Sequence, residues 1–235
     1  MLNLFFGRLL HPFRVLLFPQ LCSACSQTLV QGEHFVCLEC LETLPQTRFH
    51  LQQNNLVENR LRGRIPLYRA TSFYFFQKDG RLQEILHNIK YRQGQRLAEY
   101  MGELFGRSLK SVSWVQHISV LIPVPLSEKK RLLRGYNQSE HLAIGLGRVL
   151  NLRVDTTSLI RSRDTETQTR KTKEQRLDNV ADAFQCNPSA LYSGIHIGLV
   201  DDVFTTGATV EACALAFKSI QAQISILTLA YAIES

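Results

Sequence analysis

Nowhere in the 235 residues is there an unbroken apolar run long enough to cross a bilayer. The most apolar stretch, Met1 to Leu21, is interrupted by Arg8, His11 and Arg14, and no small-residue cleavage site follows it. A membrane span and a secretory signal are therefore not expected, and the chain is read as cytoplasmic. The stretch is read instead as an amphipathic helix, with Leu4, Phe5, Leu9, Phe13 and Leu16 along one stripe. Internal repeats and low-complexity tracts are missing too, which sets aside solenoids and a largely disordered chain. Basic residues do not alternate with aromatics in any stripe, so a nucleic-acid groove is not written openly into the sequence. What is present is a composition 45% hydrophobic and 20% charged, enough for a sizeable core.

The formal charge of +7 is unevenly placed. Residues 128–136 and 161–176 each net +3, so two short segments hold nearly all of the excess. A concentrated charge of this kind points to a localised anionic partner.

Four of the six cysteines form two pairs, Cys22-x2-Cys25 and Cys37-x2-Cys40. Two intervening residues let a tight turn aim both thiols at one ion, and two such knuckles complete a tetrahedral thiolate set suited to structural zinc. In a reducing compartment this pattern argues against disulfides. Cys186 and Cys213 stand alone and read as small apolar residues.

Periodicity divides the chain into an N-terminal helix and cysteine module (1–47), a polar linker (48–66) and a main domain (67–235). Within the domain, strand-like runs at Ala70 to Phe76, Ile118 to Val124, Ile195 to Val200 and Ile224 to Ala230 alternate with helical patterns. Those helices follow Asp79-Gly80, run from Gln95 to about Lys110, extend from Asn137 to Leu150, and begin after Gly207. The alternation predicts an α/β fold, a parallel sheet with helices on both faces.

The densest motif runs from Gly198 to Thr209: an apolar strand, the pair Asp201-Asp202, then Thr205-Thr206-Gly207-Ala208-Thr209 opening a helix. Loop amides, a helix N-terminus and hydroxyls suit a phosphate monoester. Two adjacent carboxylates suit a sugar's vicinal hydroxyls or a hydrated Mg²⁺. Lys129, Lys130, Arg131 and Arg134 form a compact cationic cluster able to offset a second anionic group.

This stretch resembles the phosphoribosyl-pyrophosphate signature of type I phosphoribosyltransferases. The whole chain is similar to the ComF family, in which a zinc module precedes such a domain. Leu121-Ile122-Pro123-Val124-Pro125-Leu126 with the following Lys129 to Ser139 resembles the family's pyrophosphate loop and R-G-x-N-Q-S helix start. Arg163 to Phe184 resembles its threonine and glutamine segment, although Lys171 stands where an apolar residue is common.

The resemblance implies a three-layer phosphoribosyltransferase fold. It also implies Mg²⁺-dependent binding of phosphoribosyl pyrophosphate and transfer to an acceptor the sequence does not identify. Asp201 and Asp202 would hold ribose and metal, residues 205–209 the 5′-phosphate, and residues 125–131 the pyrophosphate. Thr165, Gln168 and Arg176 would belong to a flap that closes over the sugar and excludes water. Lys90-Tyr91-Arg92 is assigned to a smaller hood, and no general base stands out among His87, His117, His141 and His196. The family's context is competence, the uptake of external DNA. The alternative is a non-catalytic protein that binds single-stranded DNA or competence proteins and uses the sugar site as a sensor.

Overall fold

The computed structural model describes residues 19–91, 94–161, 183–187 and 194–232. Its strands are β1 (Leu67–Phe76), β2 (Val120–Pro123), β3 (Arg153–Val154), β4 (Leu159–Arg161), β5 (Phe184–Cys186), β6 (His196–Phe204) and β7 (Gln223–Ala232). Its helices are α1 (Leu38–Thr43), α2 (Leu56–Leu61), α3 (Arg81–Tyr91), α4 (Gln95–Leu109), α5 (Glu128–Arg134), α6 (Gln138–Leu150) and α7 (Ala208–Leu215). Short 3₁₀ turns lie at Phe49–Leu51, Ser113–His117 and Lys218–Ile220.

Five strands form one parallel sheet in the order β1-β7-β6-β2-β3. The central strands β6 and β7 are buried along almost their whole length, which is why they read as continuous apolar runs without polar alternation. Leu121, Val200, Leu227 and Leu229 face one apolar cluster, shared with α3, α4 and α6. Val120, Ile122, Ile197, Leu199, Ile224 and Ile226 face a second, shared with α2 and α7. The sheet is thus the middle of three layers, as expected. A separate antiparallel pair, β4 with β5, stands on either side of the segment read as a flap. Thr165, Gln168 and Arg176, like the N-terminal stripe from Leu4 to Leu16, lie outside the described residues.

Residues 48–66 are not a linker. Phe49, Val57, Leu61 and Ile65 are buried in the second cluster beside Phe204 and Phe217. The polar composition misleads because its polar groups are spent locally. Asn55 caps α2 by accepting from the amides of Val57 and Glu58, and it donates to the Ala70 carbonyl at 2.8 Å. Glu58 pairs with Arg69 at 2.7 Å. The cysteine module is equally continuous with the domain: Val36, Cys40 and Leu44 share the first cluster with Phe73 and Leu86. Its chain also pairs with the open edge of β1, where Phe75 donates to the Pro45 carbonyl at 2.8 Å.

Among the described residues no helix is long and apolar enough to cross a membrane.

Candidate functional site

Asp201 and Asp202 occupy the carboxyl end of β6, which continues through both acids to Phe204 and does not stop before them. Parallel sheets bind ligands at this end. Both acids are buried, with exposures of 8% and 9%. The Asp201 carboxylate accepts from Ser139 Oγ and from the Asp202 amide, each at 2.9 Å. Asp202 accepts from the Val203 amide at 3.0 Å and meets Lys90 Nζ, also at 3.0 Å. Their charge states diverge accordingly. Burial, reinforced by the neighbouring Asp202 charge, pushes Asp201 up to about 8. Burial works on Asp202 in the same direction, but the Lys90 ammonium overcomes it and holds the carboxyl below its ordinary value.

Beyond the acids, the chain turns into α7 through Thr205, Thr206 and Gly207. Gly207 has φ of +83°, and a Cβ there would lie 2.8 Å from the Phe204 ring. Only glycine fits this turn, and it brings no capping side chain of its own; the Ala208 amide at the start of α7 donates to Thr206 Oγ1 at 3.4 Å. Thr205, Thr206 and Thr209 are exposed, so their hydroxyls and the open helix end face solvent together. Arg64, from the segment expected to be a linker, reaches this loop: it donates to the Thr206 carbonyl at 3.3 Å and pairs with Glu211.

Facing the acids is a cleft of about 170 Å³ lined by Lys90, Pro125, Leu126, Lys130, Arg134, Gln138, Arg161, Asp201, Asp202 and Thr209. The basic cluster lies on α5, capped by Ser127. That helix sends Lys130 and Arg134 to the cleft, whereas Lys129 and Arg131 do not line it. Arg134 donates to Gln138 at 2.8 Å, and its Nε, like that of Arg161, is buried with no hydrogen-bond partner among the described residues. Among the described residues, four cations thus surround two carboxylates. The surplus of positive charge, including two unspent guanidinium N–H groups, fits a ligand with more than one anionic group. Asn137 caps α6, accepting from Ser139 N at 3.1 Å, and so presents Ser139 to Asp201.

Arg64 follows Gly63 and carries no periodic or motif signal, whereas Arg161, which ends the three-residue β4, is legible in the sequence only as one charge of the basic segment 161–176.

The four cysteines converge. All four Sγ atoms lie within 4.8 Å of one another, Cys25 and Cys37 at 3.9 Å, and none is in a disulfide. Burial tends to raise the Cys22 thiol, but amides of Cys37 and Ala24 point at its sulfur and draw it down to about 7. Glu33 fastens the two knuckles by accepting from Val30 N and Leu38 N at 2.9 and 2.8 Å. Four convergent, mostly buried thiols with amide-stabilised sulfur are a donor set that could hold a metal ion such as zinc.

No protein-family model matches the chain. It is 28% identical over 197 residues to a DNA utilization protein YhgH of Escherichia coli, covering 83% of this chain and 82% of that protein. It is 29% identical over 211 residues to the competence protein ComFC of Bacillus subtilis, covering 89% and 77%. Among solved structures it is similar to an adenine phosphoribosyltransferase from Trypanosoma brucei in complex with AMP, pyrophosphate and ribose-5-phosphate. That match has a TM-score of 0.35 and 11% identity, covering 77% of this chain and 81% of that one. The adenine phosphoribosyltransferase of Leishmania tarentolae gives a TM-score of 0.37 at 9% identity, covering 80% and 94%. Over more than four fifths of its length the chain is thus similar to proteins named for DNA utilization and for competence.

Proposed function

We propose that the chain binds phosphoribosyl pyrophosphate with Mg²⁺, acts as a phosphoribosyltransferase-type protein, and serves the handling of DNA in competence. One observation carries this reading: a buried acid pair stands between an exposed threonine-glycine loop that opens α7 and a cleft whose Arg134 and Arg161 Nε groups have no partner among the described residues. In this assignment Asp201 and Asp202 take the ribose hydroxyls and hydrated Mg²⁺. Thr205, Thr206, Gly207, Ala208 and Thr209 take the 5′-phosphate on amides and hydroxyls. Lys130 and Arg134 pair with the pyrophosphate, with Lys129 and Arg131 adding to the field at the mouth. Transfer would break the bond from ribose C1 to pyrophosphate, which leaves with the electron pair as an acceptor nucleophile bonds to C1. Zinc in the four-cysteine set would be structural, since all four positions are filled by protein.

A second reading keeps the binding but not the transfer, making the site a sensor in a protein that handles single-stranded DNA. The exposed Lys129, Arg131, Leu132 and Leu133 beside the cleft favour it.

With phosphoribosyl pyrophosphate and Mg²⁺ at about one hundred times Kd, the native state should gain about 2.7 kcal/mol. That corresponds to a melting point higher by roughly 5–10 °C for a chain of this size. The double variant Asp201→Ala, Asp202→Ala should show no shift. An unchanged melt of the wild type would remove the proposal, and pyrophosphate release in the presence of acceptor candidates separates the transferase from the sensor.

A further inference from the structure

Helix α3 connects the two chemical centres of the molecule. At 100° per residue, Leu82, Ile85, Leu86 and Ile89 form its core-facing stripe, and all four are buried. Arg81 and Asn88, seven residues apart, share one flank of that stripe, and Lys90 falls on the other. The first flank meets the cysteine module. Asn88 Nδ2 donates to the carbonyl of Ser23, between the first two cysteines, at 2.8 Å. Arg81 reaches Thr43 Oγ1 at 2.6 Å and Glu39 at 2.9 Å, on the helix that follows Cys37 and contains Cys40. The second flank meets the cleft, where Lys90 contacts Asp202 and Tyr91 packs against the Arg134 guanidinium, 5.5 Å from the ring centre.

The end of the helix is held from a third side. Tyr136 OH donates to the Ile89 carbonyl and accepts from the Gly94 amide at 2.9 Å. A Cβ at Gly94 would lie 2.4 Å from the Asn88 carbonyl oxygen, so the chain can close here only through glycine. A single residue, Ile89, separates the side chain that bonds the cysteine knuckle from the one that pairs with the ligand-facing acid. The Arg81 contacts are exposed and individually weak, whereas the Asn88 bond is partly buried and sits beside the lysine.

We infer that the four-cysteine module positions Lys90 at the cleft through α3, with Asn88 as the positioning residue, so that ligand affinity follows the folded state of the module. The affinity arm of this inference rests on the phosphoribosyl pyrophosphate reading; the arm that concerns the helix does not.

The test uses the full chain without ligand first. In Asn88→Ala, backbone hydrogen exchange over Ile89 to Tyr91 is expected to rise about tenfold, with β6 and β7 unchanged. Metal removal by a chelator should produce the same local acceleration in the wild type. Calorimetric titration with phosphoribosyl pyrophosphate and Mg²⁺ then forms a cycle with Lys90→Met. Each single variant should weaken binding about three- to tenfold, and the double variant should be no weaker than Lys90→Met alone. A merely structural role for Asn88 would give additive losses, which would overturn the inference. Unchanged exchange at the end of α3, in both the variant and the chelated protein, would overturn it as well. Should the wild type not bind the sugar diphosphate at all, the functional proposal fails and the exchange result alone decides the helix coupling.

Discussion

Replacing Cys40 by serine, or removing metal with a chelator, should produce the largest loss of stability available from a single change in this chain. Cys40 is fully buried, and burial together with the adjoining thiols pushes its own thiol well above the ordinary range. Cys22 is drawn the other way by amides aimed at its sulfur. Four thiols packed within 4.8 Å are a poor way to build a core without a cation and a strong chelate with one. Structural zinc in small modules contributes an apparent 10–16 kcal/mol at neutral pH, although only part of this reaches the whole protein, since the domain has its own core. The coupling is nevertheless direct, because Val36, Cys40 and Leu44 share a cluster with Phe73 and Leu86 of the domain. The melting temperature is therefore expected to fall by on the order of 10 °C, as several kcal/mol would require in a domain of this size. Cys186→Ser, at a half-buried position outside the module, should leave it nearly unchanged. Elemental analysis should find close to one equivalent of metal in the wild type. Less than about half an equivalent, with a melt indifferent to the chelator, would count against a metal module.

The second large effect concerns Asp201, and its sign follows from burial. The native carboxyl titrates at about 8, against about 3.9 in an unfolded chain. The native state thus keeps a proton that the unfolded state releases. This stabilising contribution is complete below about pH 4 and is lost as pH rises through about 8. Asp201→Asn keeps the shape, remains neutral throughout and removes that slope. Between about pH 6 and pH 9 the ligand-free wild type should lose stability relative to the variant, whose curve carries no contribution from this site. The same variant should lose most of the ligand-dependent stabilisation, because an amide replaces the carboxylate that receives Ser139 and faces the cleft. Stability gained where function is lost is the usual sign of a strained binding site. Melting curves across pH, with and without phosphoribosyl pyrophosphate and Mg²⁺, check both halves. A variant less stable than wild type at about pH 9, yet still stabilised by ligand, would refute the assignment of Asp201.

Much of the architecture was legible because its signals are local. Continuous apolar runs gave β6 and β7, the 3.6-residue period gave α3, α4 and α6, and Asn137 marked the start of α6. The four cysteines and the Asp201 to Thr209 motif were legible as chemistry, since their residue types and spacing have few other uses. The segment 48–66 was not, because Asn55 and Glu58 turn their polar groups inward while only Phe49, Val57, Leu61 and Ile65 show apolar spacing. The extent of β6 was also hidden, as two carboxylates do not resemble strand residues until Lys90 and Ser139 are seen to satisfy them. Sequence could not tell Lys130 from Lys129, because the choice between cleft and solvent depends on how α5 is rotated. Arg64 arrives at the site through tertiary structure alone, and Arg161 showed in the sequence only as one charge of the basic segment 161–176.

The most direct test of the central claim is a structure of the complex with phosphoribosyl pyrophosphate and Mg²⁺, by crystal soaking or by NMR titration of the labelled chain. The 5′-phosphate is expected on the amides and hydroxyls of residues 205–209, the ribose hydroxyls at Asp201 and Asp202, and the pyrophosphate toward Lys130 and Arg134. Saturating ligand that leaves these residues unperturbed, or that binds away from the end of β6, would contradict it.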